Sequence, residues 1–577
     1  MDERCMNEYL KWKEYAERSG DAPTAQRLAE IEGDFEAIEE RFAVPMSFGT
    51  AGLRSTMDVG IAKMNVYTVA QTTQGLAELI NEAGGQERGV AVCHDNRNNS
   101  RLFAETAAKV LAANGIKVYL FESLRPTPEL SFAVLHYGCI AGINVTASHN
   151  PKEYNGYKVY WEDGAQLPPE HAKKVSESAS RCDIFYGWKQ ISLEEAEKAG
   201  RLIYIGAECD GAFLDAVLAS ALAPEYIKEY GDGIGFVYTP VHGTGYRLVP
   251  EALRRCGLNA LNTVDSQMIP DGDFPTVVSP NPENRECFDE AVKLIASRNI
   301  DCGAIIATDP DADRIGLAIK DGNGDFIALS GNQIGALLVD HIIKVRREKG
   351  IMPENACAIK SVVSSNLFDA ICEKNGVRHI SVLTGFKYIG EKIKEWEADK
   401  SNTFIFGYEE SQGYLAGGYA RDKDAVGASV LAAEMVCRQK SRGKTVFEAL
   451  NEIYAEYGYY RESVLNIKIS GVDPMAEMAK RMEAIRKEAP DEFAGTKVIA
   501  VRDYSKGLRI CSDGTSEGTG LPKSDMLYYE LEDGSAVIIR PSGTEPKIKA
   551  YILVRAESIE KADEAAGRFA SAAEKLI

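Results

Sequence analysis

The sequence predicts a protein of the α/β class built from several domains, and three observations support this. The chain has 577 residues, which is more than one hydrophobic core usually holds, so roughly three to five domains of about 100–200 residues each are expected. Its apolar fraction of 45% and charged fraction of 26% are ordinary for globular proteins. Short apolar runs alternate with amphipathic stretches along most of the chain, which predicts largely parallel sheets layered with helices.

The N-terminal segment, about 40 residues long, is predicted to be helical because apolar side chains recur at helical spacing and breakers are few. Leu10, Trp12, Tyr15 and Ala16 form the expected apolar face, and Pro45 ends the segment.

The alternation of strands and helices then begins and restarts twice, and the last part of the chain differs from the rest. This predicts four domains, at residues 1–205, 206–328, 329–460 and 461–577. The elements that support the division are strands at 89–93, 117–120, 235–238, 303–307 and 403–406, helices at 101–113, 331–347 and 475–487, and a closing helix from 558 onward.

Charge and cysteine usage exclude several classes of protein. The formal net charge of −20 disfavours a nucleic-acid-binding or membrane-binding surface, because both need positive patches. The 12 cysteines are scattered singly, which predicts free thiols in a reducing compartment. The charged N-terminus and the lack of a run of about 18 apolar residues predict neither secretion nor membrane spanning. We therefore expect a cytoplasmic enzyme.

The first polar segment with chemical potential is TASHNP, at residues 146–151, directly after the apolar run 140–145. Ser148 stands at a predicted strand end among small residues and beside His149, where its hydroxyl can act as a nucleophile. A polar turn closed by Asn-Pro is the alternative.

The second segment is TDPDADR, at residues 308–314, again after an apolar strand. Asp309, Asp311 and Asp313 alternate along it, so their carboxylates can converge on one hard cation such as Mg²⁺. The pattern is not an EF-hand loop, and an acidic turn is the alternative.

The third segment, GYEESQGY at residues 407–414, follows a predicted strand and offers carboxylates and a serine that suit sugar hydroxyls. The fourth, RPSGTEP at residues 540–546, offers an arginine fork with hydroxyls and a close backbone approach, which suits a phosphate. Each taken singly is also compatible with an ordinary loop. Together the four segments supply a nucleophile, a metal site, a polyol clamp and a phosphate anchor.

This motif set, in its order and spacing, resembles the α-D-phosphohexomutase superfamily, which includes phosphoglucomutases and phosphomannomutases. The segments FGTAGLR at residues 48–54 and TGFK at residues 384–387 resemble the branch that contains phosphoglucomutase and phosphopentomutase. The resemblance implies a heart-shaped architecture of four domains, with three related α/β domains and a smaller α+β C-terminal domain.

The resemblance also implies a role for each matching residue. Ser148 would carry the phosphoryl group and, in its phosphorylated form, complete a Mg²⁺ site made by Asp309, Asp311 and Asp313. The basic positions around the reacting phosphate would be Arg54, His149, Lys158, Arg314 and Lys387, with Lys158 as proton shuttle. The sugar hydroxyls would be held by Glu409 and Ser411, and the distal phosphate by Arg540, Ser542, Gly543 and Thr544.

The activity that the resemblance implies is the interconversion of glucose 1-phosphate and glucose 6-phosphate through a phosphoserine, with glucose 1,6-bisphosphate as intermediate and activator. Phosphomannomutase and phosphopentomutase activities are the alternatives within the superfamily. A metal-dependent sugar phosphatase that uses an aspartate of the second segment is the alternative from another class. We expect a small phosphosugar as partner, no nucleic acid or membrane, and a monomer or weak homodimer.

Overall fold

The structure is a computed structural model that describes residues 3–46, 48–49, 52–470, 474–542 and 547–577. Its helices are α1 (Glu3–Ser19), α2 (Ala22–Glu30), α3 (Phe35–Phe42), α4 (Val66–Glu82), α5 (Ser100–Ala113), α6 (Thr127–His136), α7 (Pro169–Arg181), α8 (Leu193–Lys198), α9 (Ala207–Ala219), α10 (Pro224–Tyr230), α11 (Gly245–Arg255), α12 (Asp289–Arg298), α13 (Gly331–Glu348), α14 (Leu367–Lys374), α15 (Lys387–Asp399), α16 (Ala425–Ser441), α17 (Val446–Tyr457), α18 (Pro474–Lys487) and α19 (Ile559–Leu576).

The strands are β1 (Leu53–Thr56), β2 (Val90–His94), β3 (Val118–Phe121), β4 (Ala141–Val145), β5 (Tyr154–Trp161), β6 (Leu202–Ile205), β7 (Val237–Thr239), β8 (Asn262–Thr263), β9 (Ala304–Thr308), β10 (Ile315–Lys320), β11 (Phe326–Ala328), β12 (Ala356–Ser361), β13 (Arg378–Val382), β14 (Thr403–Glu409), β15 (Gly413–Leu415), β16 (Tyr459–Lys468), β17 (Glu492–Phe493), β18 (Thr496–Asp503), β19 (Leu508–Cys511), β20 (Ser516–Gly518), β21 (Leu527–Leu531), β22 (Ala536–Pro541) and β23 (Lys547–Ala556).

The chain forms two compact units. The first unit comprises Met1–Leu329, Gly390–Ala398 and Gly413–Ser441, and the second comprises Ser330–Ile389, Asp399–Gln412 and Arg442–Ile577.

The first unit contains two sheets with the same plan. The order of one is β1-β5-β4-β2-β3-β6, and that of the other is β11-β10-β9-β7-β8. In the first sheet, β4, β2, β3 and β6 are parallel, whereas β5 and β1 are antiparallel additions. In the second, β9, β7 and β8 are parallel, and β10 and β11 are antiparallel additions. The central strands β2, β4 and β9 are buried along their whole length, as expected for parallel strands covered on both faces.

This shared plan positions the chemistry. In both sheets the chain leaves the carboxyl end of a buried parallel strand, forms a short loop, and returns as an antiparallel strand. The serine segment lies in the loop between β4 and β5, and the aspartate segment lies in the loop between β9 and β10.

The second unit contains parallel strands in the order β13-β12-β14 and an antiparallel sheet that runs β16-β23-β22-β21-β18-β19-β20, with β17 paired to β18. The helices α18 and α19 share a hydrophobic core with this sheet. The α/β class predicted from the sequence is confirmed, with an antiparallel, strand-rich C-terminal part.

The N-terminal helices α1 to α3 are present as predicted, but one detail of their apolar face was wrong. Trp12 and Ala16 are buried together with Cys5 and Tyr9, whereas Leu10 is 51% exposed. The spacing of the buried set follows one face of α1, and Leu10 lies off that face.

None of the helices within the described ranges is long and apolar enough to cross a membrane.

Candidate active site

The serine loop begins where β4 ends, and it holds Ser148 in an unusual backbone conformation. Ser148 has a φ of 53°, in the left-handed region that costs a residue other than glycine about 1–2 kcal/mol. Its backbone N–H donates to Thr146 Oγ1 at 2.8 Å. Its hydroxyl donates to Asp309 Oδ2 at 2.9 Å and lies 3.2 Å from His149 Nδ1. The loop therefore directs the predicted nucleophile at the first of the predicted metal ligands, 161 positions along the chain.

The aspartate loop gathers its three carboxylates in one place. Each of Asp309, Asp311 and Asp313 is buried, and one oxygen from each lies within 4.8 Å of the other two. Backbone N–H groups of Asp313 and Arg314 donate to Asp309 Oδ1 at 3.1 and 3.0 Å, which fixes the first carboxylate. The Oδ1 atoms of Asp311 and Asp313 are buried without a hydrogen-bond partner. Buried, unsatisfied carboxylate oxygens facing a common point are the donor set that Mg²⁺ prefers.

Side chains from other elements hold the outer oxygens of these carboxylates. Thr127 Oγ1 donates to Asp311 Oδ2 at 2.7 Å, and the Lys158 ammonium donates to the same atom at 2.8 Å. Lys158 Nζ is also 3.5 Å from Asp313 Oδ2, and Lys423 Nζ is 3.2 Å from that atom. The predicted proton shuttle therefore lies beside the predicted metal ligands.

Burial and charge act on these groups in opposite directions. Burial, together with the nearby charges of Asp311 and Asp313, raises the pKa of Asp309 well above its usual value. Burial opposes ionisation of Asp311 as well, but the Lys158 ammonium lowers the pKa of that carboxyl. The pKa of Lys158 is raised despite burial, because Asp311 and Asp313 favour its charged form. Lys158 is therefore a protonated donor in this arrangement.

The remaining basic residues predicted for the reacting phosphate lie in the same unit. Arg314 contacts the carboxylates of Glu283 at 3.3 Å and Asp313 at 3.8 Å. The pKa of His149 is lowered well below its usual value, first by burial and then by the charges of Arg314 and Arg54. The imidazole is thus neutral near pH 7 and can exchange a proton with the serine hydroxyl.

Arg54 lies on β1, at a position opposite Gly156 of β5, and its guanidinium donates to Asn150 Oδ1 at 3.1 Å. It is exposed, so its guanidinium is accessible to a ligand at the serine loop. The structure therefore brings Ser148 and the three aspartates together with Arg54, His149, Lys158 and Arg314 in the first unit.

The predicted sugar-binding residues lie in the second unit. Glu409 ends β14, and its Oε1 accepts a hydrogen bond from the backbone N–H of Gly385 at 2.7 Å. Gly385 has a φ of 117°, which only glycine adopts readily. Lys387, the first residue of α15, has its ammonium 5.2 Å from the ring centroid of Tyr388. Ser411 is partly buried in the turn after β14.

The predicted phosphate anchor is also in the second unit. Arg540 lies near the end of β22, with its Nη2 3.2 Å from Tyr551 Oη and its guanidinium 5.7 Å from the centre of that ring. Ser542 is buried, and its backbone N–H donates to the Lys547 carbonyl at 2.8 Å. Gly543 and Thr544 lie outside the described residues.

Within the described part of the chain, two residues that sequence reasoning missed contact the carboxylates of the candidate metal site. Lys423 belongs to the run RDKD at residues 421–424, just before α16. Alternating charges in a segment that contains glycines indicate a functional loop, and this pattern could have identified Lys423 from the sequence. Thr127 had no such signal, because one threonine at a helix start is common.

Comparison with known proteins supports these observations at the level of the whole chain. Residues 45–183, 212–322 and 330–457 match the family models for phosphoglucomutase/phosphomannomutase α/β/α domains I, II and III. Proteins named phosphoglucomutase from Staphylococcus haemolyticus and Staphylococcus aureus are each 34% identical. The alignment with the former covers 91% of this chain and 93% of that protein, and the latter covers 95% and 96%.

Two solved structures show the same fold. One is a phosphoglucomutase/phosphomannomutase family protein from Burkholderia thailandensis, with a TM-score of 0.63, 17% identity and coverage of 92% of this chain and 97% of that one. The other is the open form of the exocytosis-sensitive phosphoprotein pp63/parafusin, a phosphoglucomutase from Paramecium, with a TM-score of 0.66, 18% identity and coverage of 92% and 95%. Together with the three family models, these matches confirm the predicted phosphohexomutase fold.

Proposed function

The chain belongs to the phosphoglucomutase/phosphomannomutase family and is a phosphosugar mutase, and we propose that it interconverts glucose 1-phosphate and glucose 6-phosphate through a phosphoserine at Ser148. The observation that carries the proposal is the 2.9 Å contact between Ser148 Oγ and Asp309 Oδ2, within a group of three buried carboxylates. The names of the relatives in Staphylococcus support glucose as the sugar.

The active form would carry a phosphoryl group on Ser148, which adds a charge of about −1.5 to −2 beside the three aspartates. Asp309, Asp311 and Asp313 would hold Mg²⁺, whose positive charge would offset the charge of the phosphoserine. The same ion would offset the negative charge that spreads over the phosphoryl oxygens during transfer. Arg314 and the exposed Arg54 would add positive charge from the protein side. Positioning and charge neutralisation are the main contributions that phosphoryl transfer requires.

In the first half of the cycle, the bond from phosphorus to the serine oxygen breaks while a bond to a free sugar hydroxyl forms. The hydroxyl proton leaves, and the serine oxygen takes up a proton. Lys158 is our candidate for both transfers, because its ammonium is a buried donor beside the proposed metal site. The ammonium would give a proton to the serine oxygen, and the amine that results would accept the proton of the sugar hydroxyl. The glucose 1,6-bisphosphate that results would reorient, so that the bond from phosphorus to its other sugar oxygen breaks while a bond to the serine oxygen forms. In this half the serine hydroxyl gives up its proton and that sugar oxygen takes one up.

The sugar hydroxyls and the phosphate that is not reacting need ligands of their own. We propose that Glu409 and Ser411 hold sugar hydroxyls, and that Lys387 and Arg540 with residues 542–544 hold the phosphate that is not reacting. Two successive orientations of the bisphosphate require this anchor to accept either end of the sugar.

The four-domain division, with boundaries at residues 205, 328 and 460, also remains a proposal.

We propose that the protein functions in the cytoplasm. No disulfide joins any of the twelve cysteines, all of which lie within the described residues, and this suits a reducing compartment. The net charge of −20 suits a small phosphosugar as partner better than a nucleic acid.

The test is turnover of glucose 1-phosphate with Mg²⁺ and a trace of glucose 1,6-bisphosphate, with glucose 6-phosphate measured by a coupled dehydrogenase. Mannose and ribose 1-phosphates are assayed in parallel, because the alternatives within the family differ in the sugar. Ser148→Ala is expected to abolish turnover and remove phosphate from the peptide that contains position 148. Ser180→Ala, which changes an exposed serine whose hydroxyl donates to the Glu177 carbonyl, is the matched control. Release of free phosphate, or full activity of the Ser148→Ala variant, would refute the proposal.

A further inference from the structure

A buried arginine that no motif singled out holds the backbone of the serine loop. Arg97 lies between β2 and α5 and is only 3% exposed. Its Nη1 donates to the carbonyls of Pro151 and Tyr154 at 2.9 and 3.1 Å. Its Nη2 donates to the carbonyls of Ser148 and Asn150. One side chain thus binds three carbonyl groups of the loop that carries the predicted nucleophile and the carbonyl of the first residue of β5.

The guanidinium is itself fixed on its other sides. Its Nε is 3.3 Å from Asp95 Oδ2, and the centre of the Phe274 ring lies 5.2 Å from it. Asp95 Oδ1 in turn accepts hydrogen bonds from the Arg97 backbone N–H at 2.9 Å and from Ser100 Oγ at 2.6 Å. Arg97 therefore has little freedom to tilt.

Arginine suits this task for a geometric reason. Its planar guanidinium offers five N–H donors in a rigid fork, whereas lysine offers three from a single atom. Four carbonyls arranged on two nitrogens match the fork and cannot all be reached by one ammonium. The charge of Arg97 also interacts with Asp309 and Asp311, so charge and geometry are two separable contributions.

We propose that Arg97 is a positioning residue for phosphoryl transfer, and this inference rests on the proposed function. By binding the carbonyls of Ser148, Asn150, Pro151 and Tyr154, Arg97 keeps Ser148 in its left-handed conformation. That conformation directs the hydroxyl at Asp309. The fork, rather than the positive charge, is the property that catalysis requires.

The test is Arg97→Lys, which keeps the charge and removes the fork. A misplacement of about 1 Å at a reacting atom costs about 10²-fold in rate, so we expect kcat to fall by about that factor with KM changed less than about threefold. The phosphorus NMR signal of the phosphorylated variant should also shift or broaden. Arg101→Lys is the matched control, because Arg101 is an exposed arginine on α5 that pairs with Glu105 at 2.9 Å. It should leave kcat and the NMR signal unchanged.

A variant that retains the wild-type kcat would overturn the inference, as would a loss confined to KM. If Arg97→Lys does not fold, Phe274→Leu replaces it, because loss of the stacking face frees the guanidinium to tilt. We expect the loss of this cation–π contact to lower kcat by about tenfold. An unchanged kcat would again overturn the inference. Failure of the proposed function is seen separately, because the wild-type protein would then carry no phosphate on Ser148.

Discussion

Thr127 offers the sharpest test of how the protein arranges the proposed Mg²⁺ site before any ion binds. It is the first residue of α6, and its hydroxyl donates to Asp311 Oδ2 at 2.7 Å while accepting a hydrogen bond from Asn144 Nδ2 at 2.6 Å. Its backbone N–H donates to the Asp311 carbonyl at 2.8 Å. Thr127→Val keeps the shape of the side chain and the backbone contact, and it removes the hydroxyl alone.

The magnitude follows from two independent estimates. A hydrogen bond to a charged group contributes about 1.5–3 kcal/mol. Loss of a residue that orients a metal ligand typically costs about 10–100-fold in metal affinity, which is about 1.4–2.8 kcal/mol. We therefore expect the half-saturating Mg²⁺ concentration of Thr127→Val to rise by about 10–100-fold. At saturating Mg²⁺, kcat should recover close to the wild-type value, because Thr127 does not contact the serine.

The assay is initial rate against Mg²⁺ concentration at saturating glucose 1-phosphate. Thr127→Ser retains the hydroxyl and should behave like the wild type. Thr106→Val removes a threonine hydroxyl that donates to the Leu102 carbonyl within α5, and it should leave the Mg²⁺ requirement unchanged. If Thr127→Val lowers the unfolding temperature but not the apparent Mg²⁺ affinity, the hydroxyl serves stability alone and our reasoning about the site is wrong.

Two further variants test the surroundings of the site. Burial raises the pKa of Asp424 from 3.8 to about 6, although Tyr419 donates a hydrogen bond to its carboxylate. Because the folded state then loses a proton only at higher pH than the unfolded state does, the free energy of unfolding of the wild type falls as pH rises from 3.8 to about 6. The free energy of unfolding of Asp424→Asn, relative to that of the wild type, should therefore increase by about 1.5 kcal/mol between pH 5 and pH 7.5. Denaturant titration measures both values, and a difference that does not depend on pH would contradict this prediction. Gly243→Ala would place a Cβ 2.5 Å from Pro310 Cα and 2.7 Å from Pro310 O. Because that backbone belongs to the aspartate loop, the half-saturating Mg²⁺ concentration should rise, whereas Gly211→Ala, at a glycine with open space around it, should leave it unchanged.

The elements with strong periodicity were predicted well from the sequence. The helix expected at residues 101–113 is α5 (Ser100–Ala113), and the strand expected at 303–307 is β9 (Ala304–Thr308). Both are long or continuously apolar, so local composition determines them. Leu10 was misplaced because the helical spacing of α1 admits more than one apolar face, and packing against α2 and α3 selects among them.

The motif residues of the first unit were also predictable, because each motif follows a buried strand. Ser148 leaves β4 and Asp309 leaves β9, the last parallel strand before an antiparallel return in each sheet. The carboxyl ends of such strands are where open α/β sheets place their ligand-binding loops. That these two residues share one site was implied by the family resemblance, and the structure adds a 2.9 Å contact between their side chains.

Residues that act through another residue leave no comparable trace in the sequence. Thr127 and Arg97 bind partners that become neighbours only after folding, a carboxylate 184 positions away and the serine loop 51 or more positions away. Their residue types are common, and what distinguishes them is burial combined with hydrogen bonds directed at one loop. A buried donor without an acceptor is costly, so the hydroxyl of Thr127 and the guanidinium of Arg97 need acceptors close by in the fold. The donor and its acceptor together indicate the role of the residue, whereas the residue type alone does not. The residues that position Ser148 and Asp311 are therefore identified by accounting for the partners of buried polar atoms, which only the folded chain makes possible.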